Sequence, residues 1–367
     1  MENTMDIVEI RRRVKAVRKQ LRGDVDGLIV TGVENVRYLT GFRGEDSWAL
    51  VLPRAVVLVT DSRYTEQARG ECLGCGIVER KGGLAREVAK LIEKNRGKVL
   101  GVEDSCSVAV LAMLRKGLKG ITLKPVSRIV ENVRVIKTEE EIRLIKKAGR
   151  IAFDAMDWML GQLKPGMTER QAAALYDYKL SEFGAKAAFA TIVCFGANGS
   201  RNHHQPGGRK LRKNDTILMD FGANRQGYVS DMTRCYAVGK LTPFFEKVYR
   251  TVALAQKAAV AKVRAGVKVC DVDAAARAVI AEAGLPEFGH GTGHGLGLEV
   301  HEAPTVSGVD KEGVLRAGQV ITIEPGIYLP GKLGVRLEDD VLVKKDGNRI
   351  LSRDKRYDVE IDRIPLL

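Results

Sequence analysis

The chain has 367 residues, too many for one small domain and about right for two, and its 45% hydrophobic content is enough to build a sizeable core. Charged residues make up 29% and are spread along the chain, which excludes extended disorder. The net charge of +14 admits a nucleic-acid partner, but acids alternate with the bases, as in KTEEEIRLIKKAGR. Most of the charge is therefore read as solvated helix face, and neither nucleic acid nor a membrane is expected as a partner.

The first ten residues, MENTMDIVEI, are acidic and lack an apolar run, so no signal peptide is read there. RRRVKAVRKQLR, at 11–22, spaces Val14, Val17 and Leu21 as an amphipathic helix with a wet basic face, which could also clamp an anion. Short apolar runs follow (DGLIV, WALVL, AVVLVTD and KVLGVED) and alternate with helical patterns. They predict a small α/β domain over 1–131. The longest apolar stretch, WALVLPRAVVLVT, is broken by Pro53-Arg54; it is too short to span a membrane and reads as a hairpin. Of the six cysteines (Cys72, Cys75, Cys106, Cys194, Cys235 and Cys270), only Cys72 and Cys75 have CxxC spacing. No second pair completes a zinc site, so reduced thiols in a cytoplasmic protein are expected.

A second domain is predicted over 132–367. It begins with a long helix whose Thr138 and Glu141 have capping-box spacing and whose Ile142, Ile145, Ala148 and Ala152 form the buried stripe. Gly161 and Pro165-Gly166 end that helix. From there the chain repeats itself. His203 and Pro206 answer to His301 and Pro304, both 98 positions later, Gly166 answers to Gly266, and Asp220 answers to Glu324. The matches keep one order and similar offsets. They imply two α/β halves related by a pseudo-twofold axis, with a site between them.

The chain has five histidines, and they stand in two places: His203 and His204, and His290, His294 and His301 within GHGTGHGLGLEVHEAP. Two hairpins accompany them. A turn at Arg225-Gln226 in TILMDFGANRQGYVSDMTR puts Asp220 directly opposite Asp231, with Cβ atoms about 5 Å apart. A turn centred on Gly331 puts Glu324 opposite Glu338 in the same way. Like-charged cross-strand pairs in apolar strands are destabilising unless something cationic sits between them. Arg225, Arg234 or Arg336 could serve one such pair. Two pairs at equivalent places in a duplication, beside clustered histidines, point instead to metal. Four carboxylates and one imidazole are too few terminal ligands for two separate ions; shared as bridges, they suit two ions about 3.5 Å apart. Oxygen-rich ligation with one nitrogen suits manganese, cobalt, iron or zinc.

Other chemistries find no support. His301-Glu302 does not continue as HExxH, because position 305 is threonine, and no phosphate loop occurs. Cys194 or Ser230 as a nucleophile would lack an oxyanion site and leave the acids unexplained.

LMDFGANRQGYVSDMTR, GHGTGHGLGLEVHE, TIEPGIY and GVRLED resemble the motif set of the Xaa-Pro peptidases, prolidase and aminopeptidase P, in the pita-bread group with methionine aminopeptidase and creatinase. NVRYLTGFRG and DSRYTEQA resemble the creatinase-like N-terminal domain, so the resemblance covers nearly the whole chain. It implies an α/β (α+β) architecture with a creatinase-like domain followed by a duplicated pita-bread domain. It also implies metal ligation by Asp220, Asp231, His294, Glu324 and Glu338, with Asp231 and Glu338 bridging two divalent ions, manganese foremost. Glu324 would double as general base. His203 and His301 would steady the scissile carbonyl, His290 and Arg336 would support the substrate, and Thr233 would partner the carboxylates. Where the family often has Leu-Pro before the first of these histidines, this chain has Arg201-Asn202, and His204 stands adjacent as an alternative. Pro206 and the 17-residue step to Asp220 mark His203. The implied activity is metal-assisted hydrolysis of Xaa-Pro bonds in short proline-containing peptides by a homodimer. The alternatives are a catalytically silent pita-bread domain that binds peptide or nucleic acid, and a creatinase-like amidino hydrolase.

Overall fold

The computed structural model describes residues 6–21, 23, 25–95, 97–352 and 359, and the chain divides into compact units at 1–134 and 135–367. The first unit is built on one mixed sheet. Its elements run α1 (Ile7–Gln20), β1 (Gly27–Val30), α2 (Val33–Thr40), β2 (Trp48–Val51), β3 (Val56–Thr60), α3 (Thr65–Glu71), β4 (Gly76–Glu79), α4 (Leu84–Lys94), β5 (Val99–Glu103), α5 (Val108–Gly117), β6 (Thr122–Val126) and α6 (Glu131–Arg134). The spatial order is β4-β3-β2-β1-β5-β6. The four apolar runs of the sequence form its centre: β2 and β3 make the expected antiparallel hairpin, and β1 pairs parallel with β5. On α1, Val14 and Val17 are buried while Arg11, Arg12 and Lys15 face outward.

The second unit opens with α7 (Glu139–Leu160). Thr138 and Glu141 close the capping box, three glutamates in the first turn complement the helix dipole, and Ile142, Ile145, Ala148 and Ala152 are buried as the pattern required. Next come α8 (Glu169–Glu182), β7 (Lys186–Ala187), β8 (Ile192–Phe195), a 3₁₀ turn at Gly196–Ser200, β9 (Thr216–Phe221), β10 (Ala223–Arg225), β11 (Tyr228–Val229) and β12 (Met232–Ala237). The chain then begins again. Thr242 caps α9 (Pro243–Lys262), with proline in the first turn where its missing N–H costs nothing. It continues through α10 (Val269–Glu282), β13 (Gly293–Gly295), β14 (Glu302–Val306), β15 (Val320–Ile323), β16 (Gly326–Leu329), β17 (Leu333–Arg336), β18 (Asp339–Lys344) and β19 (Gly347–Ile350).

The repetition is visible in detail. Helices α8 and α10 each have 14 residues, and the glycines that precede them, Gly166 and Gly266, both adopt positive φ, at 92° and 86°. Each half packs its helices on antiparallel strands. One core gathers α7, α8, β8, β9 and β12; the other gathers α9, α10, β15 and β18.

The hairpin registers differ from one another. In the second half Leu329 pairs with Leu333, Gly326 with Arg336 and Ile323 with Asp339, so one register runs from the turn at Gly331 past Glu324 and Glu338, which fall opposite as expected. In the first half the turn sits one residue later than expected, at Gln226-Gly227, because both residues there take positive φ, 52° and 83°, and the second is glycine. Asp220 therefore lies opposite Thr233, not Asp231. The shift leaves parity intact. Asp231 becomes the diagonal neighbour of Asp220 on the same face of the hairpin.

Candidate metal centre

Asp220 and Asp231, with His203, His204 and His301, border a cleft in the second unit that has a volume of about 290 Å³. Phe189, Ala190, Ile192 and Val300 make its apolar wall. His203, His204, Gln205, Asp220, Asp231 and His301 line its polar side.

Asp231, His294 and Glu338 offer ligand atoms that all lie within 4.8 Å of one another. Glu324 joins them through Oε1, 3.3 Å from His294 Nε2, and Asp231 Oδ2 is 3.7 Å from the same nitrogen. His294 Nδ1 donates to the Gly295 carbonyl at 3.1 Å, which leaves Nε2 aimed at the acids. Asp220 turns one oxygen to Arg336, whose Nη2 donates to it at 2.7 Å. Its other oxygen is buried without a protein partner.

The electrostatics of this cluster call for a cation. Burial, and then repulsion from neighbouring carboxylates, push Asp231 and Glu338 well above the ordinary carboxylate range. Burial also raises Asp220, against the pull of Arg336. Burial acts on Glu324 in the same direction, but the hydrogen bond and charge of His294, with Arg336 behind them, hold it below its ordinary value. His294 responds in kind: burial favours its neutral form, and Glu324 overrides that and raises it. A single guanidinium facing four carboxylates leaves most of their charge unanswered. The orphaned Asp220 oxygen and the convergent Asp231, His294 and Glu338 atoms therefore fit a divalent ion with oxygen-rich ligation.

The supporting residues form one hydrogen-bonded chain. Thr233 Oγ1 donates to Glu338 Oε2 at 2.6 Å and accepts from Arg336 Nε at 2.9 Å. Arg336 Nη1 donates to the Tyr328 hydroxyl at 2.9 Å, and that hydroxyl lies 3.1 Å from His290 Nε2. His290 Nδ1 donates to the Gly291 carbonyl at 2.7 Å, so Tyr328 donates to Nε2. Burial pushes the Tyr328 phenol up to about 12, so it remains a donor, and burial holds His290 toward its neutral form. The His294 and His301 rings stack edge to face at 4.4 Å, and burial followed by the neighbouring His294 lowers His301.

Glycines let the strands close on this centre. A Cβ on Gly293 would enter the Thr322 carbonyl, and one on Gly295 would enter that of Ala303. Gly199 and Gly334 pack backbone against backbone in the same way.

His203 and His204 separate cleanly. Both border the cleft, but His203 is exposed, whereas His204 is buried and its Nε2 lies 2.8 Å from Glu169 Oε2. Three carboxylates that sequence reasoning passed over, Glu169 and Asp273 buried and Glu302 half-buried, hold the histidine-bearing segments. Glu169 grips the connection around His203. Asp273 accepts from Thr292 N and Oγ1, and also from Arg277, which donates to the His290 carbonyl. Glu302 accepts from Leu298 N, Glu299 N and Lys137 Nζ beside His301. The available signal was an acid early in each half's shorter helix, in GMTERQ and VKVCDVD, at places where a solvated side chain was the simpler reading. Tyr328 in the TIEPGIY motif was also passed over.

Comparison with known proteins gives this arrangement its family. Residues 143–345 match the model of metallopeptidase family M24, and residues 13–136 match the creatinase/prolidase N-terminal domain. An Xaa-Pro dipeptidase of Pyrococcus horikoshii is 35% identical over 355 residues, covering 96% of this chain and 99% of its own. Among solved structures, an Xaa-Pro dipeptidase from Bacillus anthracis superposes with a TM-score of 0.91 at 32% identity, over 98% of this chain and all of the other. An X-Pro aminopeptidase from Thermotoga maritima gives 0.87 at 33% identity, over 95% of this chain and all of the other. No helix among the described residues is long and apolar enough to cross a membrane. The chain belongs to metallopeptidase family M24: it is a metallo-exopeptidase with a creatinase-like N-terminal domain and a pita-bread catalytic domain.

Proposed function

We propose that the chain hydrolyses the bond between an N-terminal residue and a following proline in dipeptides or short peptides, using two divalent ions, manganese foremost. The observation that carries this reading is the convergence of four carboxylates, Asp231 and Glu338 buried and Asp220 and Glu324 half-buried, with one imidazole nitrogen beside a cleft lined by His203 and His301. Its relatives' names point the same way.

Asp220, Asp231, His294, Glu324 and Glu338 would hold the ions. Divalent ions in such a site lower the pKa of a bound water and polarise a carbonyl. Glu324 is the carboxylate held toward its charged form, so it is the one suited to take the water's proton and pass it to the leaving imino nitrogen. His203 and His301, on the polar side of the cleft, donate to the scissile carbonyl as charge develops on it. His290 and Arg336, joined through Tyr328, fix the substrate side, and Arg336 holds one oxygen of Asp220. An Xaa-Pro bond has no N–H to register in an extended site, which accounts for a dedicated enzyme.

A catalytically silent binding role is disfavoured because every residue of the ligand set is present. Creatinase-like chemistry gains no support from the names of the closely superposing structures. A reducing cytoplasm is our expectation for the working compartment. A homodimer is our expectation for the assembly. The deciding assay compares Ala-Pro with Ala-Pro-Ala, with manganese or cobalt supplied. Cleavage of Ala-Pro alone marks a dipeptidase and cleavage of both an aminopeptidase P. Absence of Xaa-Pro cleavage with either metal overturns the reading.

A further inference from the structure

We propose that Glu169 is a positioning residue for the reaction, acting through His204 to fix His203 at the cleft. The proposal rests on the catalytic role given above to His203.

Glu169 is fully buried in the first turn of α8, and each group it bonds is a donor. Oε1 accepts from Phe195 N and Asn198 Nδ2, both at 2.8 Å. Oε2 accepts from His204 Nε2 at 2.8 Å and Gly207 N at 3.0 Å. All four donors lie between residues 195 and 207, on the connection from β8 that carries His203. The main chain ties the same connection to the helix: Glu169 N donates to Arg209 O, and Arg170 N to Gly207 O. A buried carboxylate costs several kcal/mol unless it is fully hydrogen-bonded. Four donors meet that condition, and their pull outweighs the effect of burial. The loop is thus held by one charge at four points, one of them the residue next to His203. The second half has a counterpart in Asp273, one helical turn further along α10, which holds the segment that carries His290.

The chemistry admits no neutral substitute. A glutamine at 169 presents an N–H₂ to one of two donor pairs, so at least one side loses its acceptor. His203 would then keep its identity and lose its placement. A misplacement of about 1 Å can cost on the order of a hundredfold in rate.

The test is a double-mutant cycle on Ala-Pro hydrolysis with the manganese-loaded enzyme, using E169Q, H203A and the double variant. We expect E169Q to lower kcat about ten- to a hundredfold, with KM within about twofold and metal content unchanged, and to add nothing in the H203A background. In the metal-free protein, amide exchange at 195–207 should accelerate in E169Q. H204Q, which keeps a donor toward Glu169, should retain near-native rate, while H204A should fall with E169Q. An equal fold-loss from E169Q with and without His203, or a loss that follows metal content, overturns the proposal. If E169Q does not fold, H204A and H204Q carry the test, and a native rate in H204A overturns it. If H203A is fully active, the catalytic role of His203 fails and the proposal with it. If H203A is impaired but the cycle is additive, only the positioning role fails.

Discussion

Arg336 and Asp220 share a part-buried contact in which the guanidinium satisfies one carboxylate oxygen at 2.7 Å, while the other oxygen stays orphaned. The same guanidinium reaches Thr233, Tyr328 and the Asn202 carbonyl, so four acceptors depend on one planar fork. A lysine ammonium is a point charge and cannot span them. R336K should lower kcat/KM by at least about tenfold, equivalent to about 1.4 kcal/mol of transition-state binding. R336M, which removes the guanidinium from beside Asp220, should destabilise the metal-free protein by about 3–5 kcal/mol in urea unfolding. Wild-type kinetics in R336K would count against this role.

Chelation should abolish hydrolysis, and manganese or cobalt should restore it. D231N should lose metal and rate together, because it removes a ligand that stands within 4.8 Å of two others. Ion binding should also raise thermal stability, by about 2.7 kcal/mol at a hundredfold excess over Kd. Full activity in stripped, chelated protein would falsify the metal assignment.

The substrate isomer offers a kinetic signature. A site with fixed carbonyl and amine positions accepts the trans Xaa-Pro bond, and uncatalysed exchange takes tens to hundreds of seconds. Excess enzyme mixed with Ala-Pro should give a fast phase and then a slow one that prolyl isomerase accelerates. A single phase, or Ala-Ala cleaved as fast, removes the Xaa-Pro specificity and leaves the metal centre standing.

Glu169 predicts an acid-sensitive contribution to folding. Its folded pKa lies below the usual 4.5, because His204 and the three N–H donors outweigh burial. The unfolded chain therefore takes up the proton first as pH falls. Glu169 contributes its full stability above the unfolded value and loses it as pH drops through the folded one. The difference in Tm between wild type and E169Q should be constant near neutrality and should close below about pH 4. A difference that widens in acid would contradict the sign.

Much of this was legible in the residues. Thr138 with Glu141 gave the start of α7, and Gly331 gave the register that sets Glu324 against Glu338. The Asp220 register was misread because the turn was placed at Arg225-Gln226, when the glycine-bearing Gln226-Gly227 pair accommodates two positive φ angles. In the first unit the central strands showed as apolar runs. Strands β4 and β6 did not, because they are the half-exposed edges of the sheet and β6 carries Pro125. Nor could periodicity show that Glu169 serves His204. Its partners are backbone and side-chain donors 26 to 38 residues away, and their convergence exists only after folding.

The seam of Gly199 on Gly334 has a consequence for how such an enzyme can change. One glycine follows β8 on the way to His203; the other lies two residues before Arg336, and no side chain separates them. A Cβ on Gly334 would enter the Gly199 carbonyl, and one on Gly199 would press on the Gly334 main chain. Position 334, two residues before Arg336, is therefore closed to gradual drift. The apolar flank of the cleft, formed by Phe189, Ile192 and Val300, is bounded by side chains that can be exchanged one at a time. New preferences for the N-terminal residue should arise on that flank, in laboratory selections as in natural divergence.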